Sequence, residues 1–426
     1  MKPHALIIST KHPLPTDDGQ KATLAAFVDY LVERFGAENC TYVVVGRPAP
    51  LQAALPCRTL WVDPPGAATQ AWQGLRSLCA LTPLSLQEAL TRSRRIERRL
   101  KQIAAQCQPQ LLVLDLLRIG QYFDAAVVGT APRRVLYMAD LYHLRFRRMC
   151  EMAAKGLQFA PAGTFWKLLP APARSALQFA PLRNLLYRIE ADKVERRELA
   201  APHRFDQCLL ANVHEAALLR ERCAGGRLEA IQPALFAAQR PRERRFDGRP
   251  TFLLLGSLRH PLYRASVLQF MAEAMDAIVA AMPEVRILIV GEGADAELRA
   301  SCEARAPHVE LLGFVDDIAP LFGSACALLV PSIVGGGLRM KALTAMFHGL
   351  PIISTSAGID GIPLMDRDSF LREDRIALFA EPMLRLCEPV TNAAVSRAAD
   401  TVFAAHYGRA QVFRQYDALF GLSHAD

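Results

Sequence analysis

The sequence predicts an α/β protein built of two Rossmann-like, doubly wound domains. Three observations carry that class. Short apolar strands alternate with amphipathic helical stretches along most of the chain, the pattern of a parallel sheet with helices on its faces. The alternation restarts after a polar segment, Gln232 to Pro250, which contains Pro233, Pro241 and a cluster of arginines and reads as a linker. With 426 residues, 51% of them hydrophobic, the chain is too long for one core and has apolar residues enough for two.

In order, His4 to Thr10 is a compact apolar strand, and a Pro-rich turn, His12 to Asp18, ends at Gly19. Leu24, Phe27, Val28, Leu31, Val32 and Phe35 then recur at helical spacing. Cys40 to Val45 and Cys57 to Val62 are the next strands, followed by helical stretches near Ala67 to Leu81 and Leu86 to Cys107. Gln110 to Leu114 and Arg134 to Met138 are further strands. Met138 to Met149 leaves a strand end carrying Asp140, His143 and three arginines, and chemistry in such sheets sits at strand C-termini. Residues 157–188 interrupt the alternation with an apolar and basic insertion suited to a membrane interface or to covering a groove. A charged helix (Arg188 to Leu199), a strand (Arg204 to Ala211) and a short helix (His214 to Cys223) complete the first half.

The second half opens with a strand, Thr251 to Leu255, that runs into Gly256, Ser257, Leu258, Arg259 and His260. Val267 to Met282 reads as one regular amphipathic helix. Arg286 to Val290 closes on Gly291, Glu292 and Gly293, and Val309 to Leu312 leads into Gly313, Phe314 and Val315. The strand Ala327 to Val330 then meets Pro331 and three glycines, Gly335, Gly336 and Gly337, followed by Leu338, Arg339 and Lys341 on a helix start that reaches about His348. Glycines let backbone approach a ligand, and a helix start with two cations beside it favours an anion. This stretch therefore reads as a phosphate site for a nucleotide-linked ligand. Pro351 to Thr355 is the next strand, and Asn392 to Leu422 a helical tail.

Composition narrows the partners. No run of about 18 apolar residues marks a membrane span, and Ala5 to Ile8 is too short for a signal-peptide core. Ten cysteines without a C-x-x-C pair suggest neither a zinc site nor a disulfide framework, so a cytoplasmic protein with reduced thiols is expected. A net charge of +8 suits phosphorylated ligands or an anionic membrane surface; with no Cys/His finger or aromatic-basic ribbon, nucleic acid is not expected. No metal is expected either: Asp316 and Asp317 look like a helix N-cap rather than a metal pair.

Taken together these segments resemble the retaining glycosyltransferases of the GT-B type, the large family numbered four. LLLGSL, VRILIVGEG, HVELLGFVDDIAPLF, ALLVPS, GGGLRMKALTAM and GLPIISTSAGIDGI match in order over about Phe252 to Ile362; HPLPTDDG and VERRELAAPHRFDQCLLANVHEAALL agree more loosely. The resemblance implies two domains facing across a cleft: an acceptor domain (1–235), a nucleotide-sugar donor domain (236–405) and a final helix (406–426) packing back on the first. By position, Arg339 and Lys341 would hold the diphosphate, Gly313, Phe314 and Val315 would lie along the base, and Gly336 and Gly337 would approach the donor sugar. Gly256, Ser257, Arg259, Gly335, Leu338 and Thr344 complete the donor set, and Gly19 and Gln20 form the acceptor loop. His143 and Asp140 would orient or polarise the acceptor beside the catalytic cations Arg339 and Lys341. The implied activity is retaining, metal-independent hexosyl transfer in cell-envelope, lipid-linked or glycoconjugate synthesis, with no cofactor beyond the nucleoside-diphosphate sugar. The acceptor would be a glycan, lipid-linked or protein hydroxyl, and the protein would lie in the cytoplasm or on the cytoplasmic face of the membrane.

Three positions depart from the family. Thr344 stands where a glutamate usually accepts the ribose hydroxyls, Tyr263 where an asparagine is frequent, and Gln20 where a second glycine is usual. A catalytically silent scaffold or partner subunit is the alternative these departures raise. A sugar-nucleotide epimerase is another, though that chemistry wants more acid/base groups than the second half offers.

Overall fold

The computed structural model describes residues 3–16, 19–49, 53–79, 82–124, 132–154, 179–233, 244, 246–335 and 339–422. The chain divides into two compact units, residues 1–235 with 410–426, and residues 236–409.

The first unit comprises β1 (Ala5–Ser9), α1 (Gly19–Phe35), β2 (Cys40–Val45), β3 (Arg58–Val62), α2 (Ala67–Leu78), α3 (Leu86–Thr91), α4 (Arg94–Cys107), β4 (Leu111–Asp115), α5 (Leu117–Gly120), β5 (Arg133–Ala139), α6 (Tyr142–Ala154), α7 (Ala180–Ala200), β6 (Gln207–Leu210), α8 (Val213–Arg222) and β7 (Leu228–Ala230). Its seven strands are parallel, in the order β3-β2-β1-β4-β5-β6-β7. β1, β2 and β4 are buried along their whole length, which is why they read as unbroken apolar runs rather than alternating ones. Leu6, Ile8, Leu112, Leu114 and Leu136 meet Leu100, Ile119 and Phe205 in the core.

Two departures from the sequence reading have local causes. The single helix expected over Leu86 to Cys107 is two helices, broken at Arg92 and Ser93. Gln121 Nε2 donates to the Glu88 carbonyl at 2.9 Å, and the Tyr122 hydroxyl donates to that of Thr91, so groups after β4 take acceptors that a continuing helix would use. Of the apolar and basic insertion, residues 157–178 lie outside the described residues. The rest belongs to α7, whose second half is the charged helix read from the sequence. Edge strand β7 was not expected, being only three residues with a polar centre.

The second unit comprises β8 (Thr251–Leu255), α9 (Pro261–Glu273), α10 (Met275–Ala281), β9 (Arg286–Val290), α11 (Ala296–Glu303), β10 (Val309–Gly313), α12 (Ala319–Ser324), β11 (Ala327–Val330), α13 (Met340–Phe347), β12 (Ile352–Ser354), β13 (Leu371–Arg372), α14 (Ala380–Cys387) and α15 (Pro389–Tyr407). Its six strands are also parallel, in the order β10-β9-β8-β11-β12-β13. The helix expected over Val267 to Met282 breaks at Ala274, so α9 and α10 each turn a short apolar face to the core. Arg244, inside the segment read as a linker, is tied down instead. It donates to Asn392 Oδ1 at 2.6 Å and to the Cys326 carbonyl at 3.1 Å, while Asn392 donates to the Cys326 and Leu386 carbonyls.

The helical tail breaks at Gly408, and α16 (Arg409–Phe420) packs on α1 within the first unit. Asp417, 5% exposed, accepts from Tyr30 Oη at 2.7 Å and from Arg34 Nε and Nη2 at 2.7 and 2.9 Å. Phe27, Tyr30, Phe413, Tyr416 and Phe420 surround that pair edge to face.

Candidate functional site

In an open parallel sheet, ligands bind beyond the strand C-termini where the strand order reverses direction. In the second unit that point lies between β8 and β11. β8 runs into Gly256 and Ser257, and neighbouring β9 runs into Gly291. A Cβ at Gly291, whose φ is +151°, would fall 1.9 Å from the Gly256 carbonyl oxygen, so only glycine lets these two strand ends meet so closely. β10 ends on Gly313, whose carbonyl accepts from Gly291 N at 2.8 Å; Phe314 beyond it is exposed.

On the other side of the switch point the loop after β11 is braced from below. Thr355 Oγ1 donates to the Ser332 carbonyl at 2.6 Å, and Ile333 N donates to Ser266 Oγ at 3.3 Å. Gly335 lies against the Asp360 carboxylate. Gly336, Gly337 and Leu338 lie outside the described residues. Arg339 caps α13 with non-helical backbone and donates from Nη2 to the Val334 carbonyl at 2.8 Å. α13 thus starts at Met340, a residue past the last cation of the loop, and ends where Gly349 turns to φ +68°. Lys341, in its first turn, places its ammonium 3.6 Å from the Tyr263 ring centroid. Burial and the Arg339 charge push Lys341 down to about 7. Thr344, one turn on and on the same face, donates its hydroxyl to the Met340 carbonyl at 2.9 Å. A groove of about 420 Å³ adjoins the loop, lined by Ser332, Ile333, Thr355 and Asp374 among others.

The first unit reverses order between β1 and β4. Their last residues, Ser9 and Asp115, are bonded to each other: Ser9 Oγ donates to Asp115 Oδ2 at 2.6 Å. Gln20 Nε2, from the start of α1, donates to both carboxylate oxygens at 2.9 and 2.8 Å. Asp115 is wholly buried, and that burial pushes its carboxyl up against the opposing pull of Arg118, Ser9 and Gln20.

Residues 249–388 match the family described as Glycosyl transferases group 1. The fold is GT-B, and the family match lies within its second unit. The GT-B chain resembles a sucrose-phosphate synthase from Thermosynechococcus elongatus (TM-score 0.66, 15% identity, 99% of this chain and 100% of that one). It also resembles Anabaena HepE in complex with UDP-glucose (TM-score 0.62, 12% identity, 98% and 100%) and WaaG, a glycosyltransferase involved in lipopolysaccharide biosynthesis (TM-score 0.61, 11% identity, 98% and 100%). By sequence it is similar to the phosphatidyl-myo-inositol mannosyltransferase of Mycobacterium leprae, 27% identical over 177 residues that make up 36% of this chain and 46% of that protein. The Mycolicibacterium smegmatis protein of that name is 33% identical over 129 residues, 29% of this chain and 33% of that one. The chain thus spans less than half the length of these curated relatives.

The GT-B sheet of the second unit carries Gly256, Ser257, Gly313, Phe314, Val315, Gly335 and Arg339 at one edge, beyond the C-terminal ends of its strands, with Lys341 and Thr344 in the helix that follows. Arg259 also lies there, but it is exposed and paired with Glu292 at 3.0 Å. In the first unit, Gly19 opens α1 and the Gln20 amide is committed to Asp115. Asp140 follows Ala139, whose φ is +63°, and its carboxylate is 3.8 Å from Arg145. His143 is 1% exposed: Nδ1 is bonded to Glu198 and Nε2 is 3.6 Å from Glu195 Oε1, so this histidine joins α6 to α7. Asp115 escaped the sequence reading, although it could have been found as the single acid closing the apolar run LLVLD; Tyr263 was read only as a departure from the family, with no contact to Lys341 expected.

Proposed function

We propose that this chain is a retaining glycosyltransferase that moves a sugar from a nucleoside-diphosphate donor, held on the second unit, to a hydroxyl of a lipid-linked or other cell-envelope acceptor held by the first. The observation that carries the proposal is the reversal point between β8 and β11, with glycines at the ends of β8 and β9 and with Arg339 and Lys341 at the start of the helix after β11. As transfer proceeds, the bond from the anomeric carbon to the β-phosphate oxygen breaks and its electron pair stays on the diphosphate. The acceptor oxygen bonds to the same carbon and releases its proton. Arg339 and Lys341 neutralise the charge growing on the leaving diphosphate, the term expected to matter most here. These side chains supply the countercharge that a metal gives in other sites. In the first unit, Asp115 fixes the start of α1 through Gln20, and in this reading Asp140 is the carboxylate that meets the acceptor.

A lipid-linked acceptor is favoured by the first unit's surface. Trp72, Leu75 and Leu78 on α2, with Phe179, Leu182, Leu185 and Ile189 at and along the start of α7, are exposed. α2 and α7 adjoin, since Lys193 donates to Ser77 Oγ at 3.1 Å. The phosphatidyl-myo-inositol mannosyltransferase relatives point to the same acceptor class. No described helix is long and apolar enough to cross a membrane, so contact with one is proposed to be peripheral.

Thr344 favours a second reading, a silent scaffold, because its hydroxyl is engaged by its own helix and no carboxylate stands there for a ribose. Calorimetric titration with UDP, GDP and their hexose conjugates separates the two. Binding of one nucleoside diphosphate and turnover of its sugar support the transferase; absence of binding by any of them leaves the scaffold.

A further inference from the structure

Tyr263 and Lys341 come from the first turns of α9 and α13, the helices that follow the two strands flanking the reversal point of the second unit. The Tyr263 ring stands against the β8 strand end: a Cβ at Gly256 would fall 2.9 Å from a ring carbon. Its hydroxyl is buried and has no hydrogen-bond partner among the described residues. A buried hydroxyl left without a partner costs stability, so the ring is held here for its face and not for its oxygen. That face carries the Lys341 ammonium at 3.6 Å, a cation–π distance. Among the described residues no carboxylate lies within ion-pair reach of Lys341. The charged group acting on it is Arg339, at the start of its own helix; Asp360 stands against Gly335 in the loop before that helix. The next residue of α9, Arg264, is turned to Asp295 at 2.6 Å and to Glu297.

We infer that Tyr263 is a resting platform for Lys341, from which the lysine passes to a bound diphosphate. The inference rests on the donor reading of this site and adds its regulation by pH. In the free protein, burial and the Arg339 charge outweigh the ring's attraction for the ammonium and bring Lys341 to about 7, so the resting lysine is partly neutral at neutral pH. Beside a diphosphate the charged form is favoured, and the bound lysine keeps its proton well above that value. The sign follows. Affinity for diphosphate is fullest below about pH 7 and falls as the pH rises through it, by up to about tenfold per pH unit. Tyr263 is thus a positioning residue that acts through Lys341.

Two measurements on the whole chain test this. The first is ligand-free: ¹³C NMR of lysine-labelled protein, with Lys341 assigned by Lys341→Arg. The Lys341 signal is expected to titrate near 7 in the wild type and to move up by more than about one pH unit in Tyr263→Ala, where water replaces the ring. Tyr263→Phe should titrate like the wild type, because the hydroxyl it removes has no bond to lose. A Lys341 signal titrating above about pH 9 in the wild type, near the ordinary lysine range, overturns the platform. The second uses UDP as the probe, titrated calorimetrically in buffers of different ionisation enthalpy. Uptake of roughly half a proton at pH 7 is expected, and it should shrink in Tyr263→Ala. UDP binding with no proton uptake and a flat pH profile overturns the inference while leaving the donor reading in place. No UDP binding at any pH, with Lys341 still titrating near 7, overturns the donor reading and the transfer of the lysine, and leaves the platform alone standing.

Discussion

Arg339 and Lys341 are both basic and two residues apart, yet their surroundings give them different work. Arg339 braces the glycine loop through the Val334 carbonyl, and in the proposed donor site its guanidinium also bonds the diphosphate. Each charge-assisted hydrogen bond of that kind is worth about 1.5–3 kcal/mol, so Arg339→Ala is expected to weaken UDP binding by at least about tenfold. Arg339→Lys should recover only part of the loss, since lysine lacks the planar fork. Thr344→Glu is the sharper change. The threonine hydroxyl only back-bonds its own helix, so replacing it costs little, and a carboxylate there would accept two ribose hydroxyls in place of none. UDP binding tightened by this substitution supports a nucleoside in the site; binding weakened by it means that phosphates, not a ribose, lie there. The two cations were legible in the sequence because glycine triplet, helix start and charge are neighbours in the chain. Asp115 was not, because its meaning depends on Ser9 and Gln20, which only the sheet order brings to it.

Among the elements, α7 concentrates the buried charge of the first unit. Glu190 accepts from Leu86 N at 2.7 Å, Glu198 is bonded to His143, and Arg197 donates to Glu88 at 2.9 Å. Burial pushes Glu190 up from 4.5 to about 7. The folded state therefore holds a proton that the unfolded chain has released, so this stabilisation is complete below about pH 4.5 and is lost as the pH rises through 7. Glu190→Gln is expected to remove on the order of 2–3 kcal/mol of the pH dependence of unfolding between those values, measured by urea denaturation at a series of pH values. A pH profile unchanged by the substitution would place the titration elsewhere. α16 makes a second case. Asp417 is the shared acceptor of Tyr30 and Arg34, and Asp417→Asn should destabilise the first unit by about 2–3 kcal/mol while sparing the sheet of the second. Elements such as β1, β4, β8 and β11 could be read from the sequence because a strand buried on both faces is apolar throughout. The breaks at Arg92 and Ala274 could not, since periodicity continues across them and the cause at Arg92, Gln121 and Tyr122 capping α3, is tertiary.

For the molecule as a whole, a charge of +8 and an apolar surface on the first unit have to be accounted for together. Seven large apolar side chains at and along α2 and α7 stay exposed although the unit has a full core beneath them. Arg76 and Arg188 belong to the same two helices. Burying apolar side chains at a lipid interface is favourable, at about 25 cal/mol per Å², and basic residues near an anionic leaflet add about 1 kcal/mol each. Neither contribution anchors a protein irreversibly, so reversible association is the expected behaviour. The protein should co-sediment with phosphatidylserine-containing vesicles at low salt, far less with phosphatidylcholine alone, and lose most of that binding as salt is raised to about 0.5 M. Leu182→Glu combined with Leu185→Glu should abolish co-sedimentation while leaving the unfolding transition and UDP binding as they were, because both side chains are exposed and belong to the other unit from the donor site. If the double variant still sediments with the vesicles, charge alone drives the association and the apolar face of α7 serves something other than lipid. If the wild type stays in the supernatant at low salt, the acceptor has to be sought among water-soluble glycans, and the exposed leucines need a protein partner to cover them.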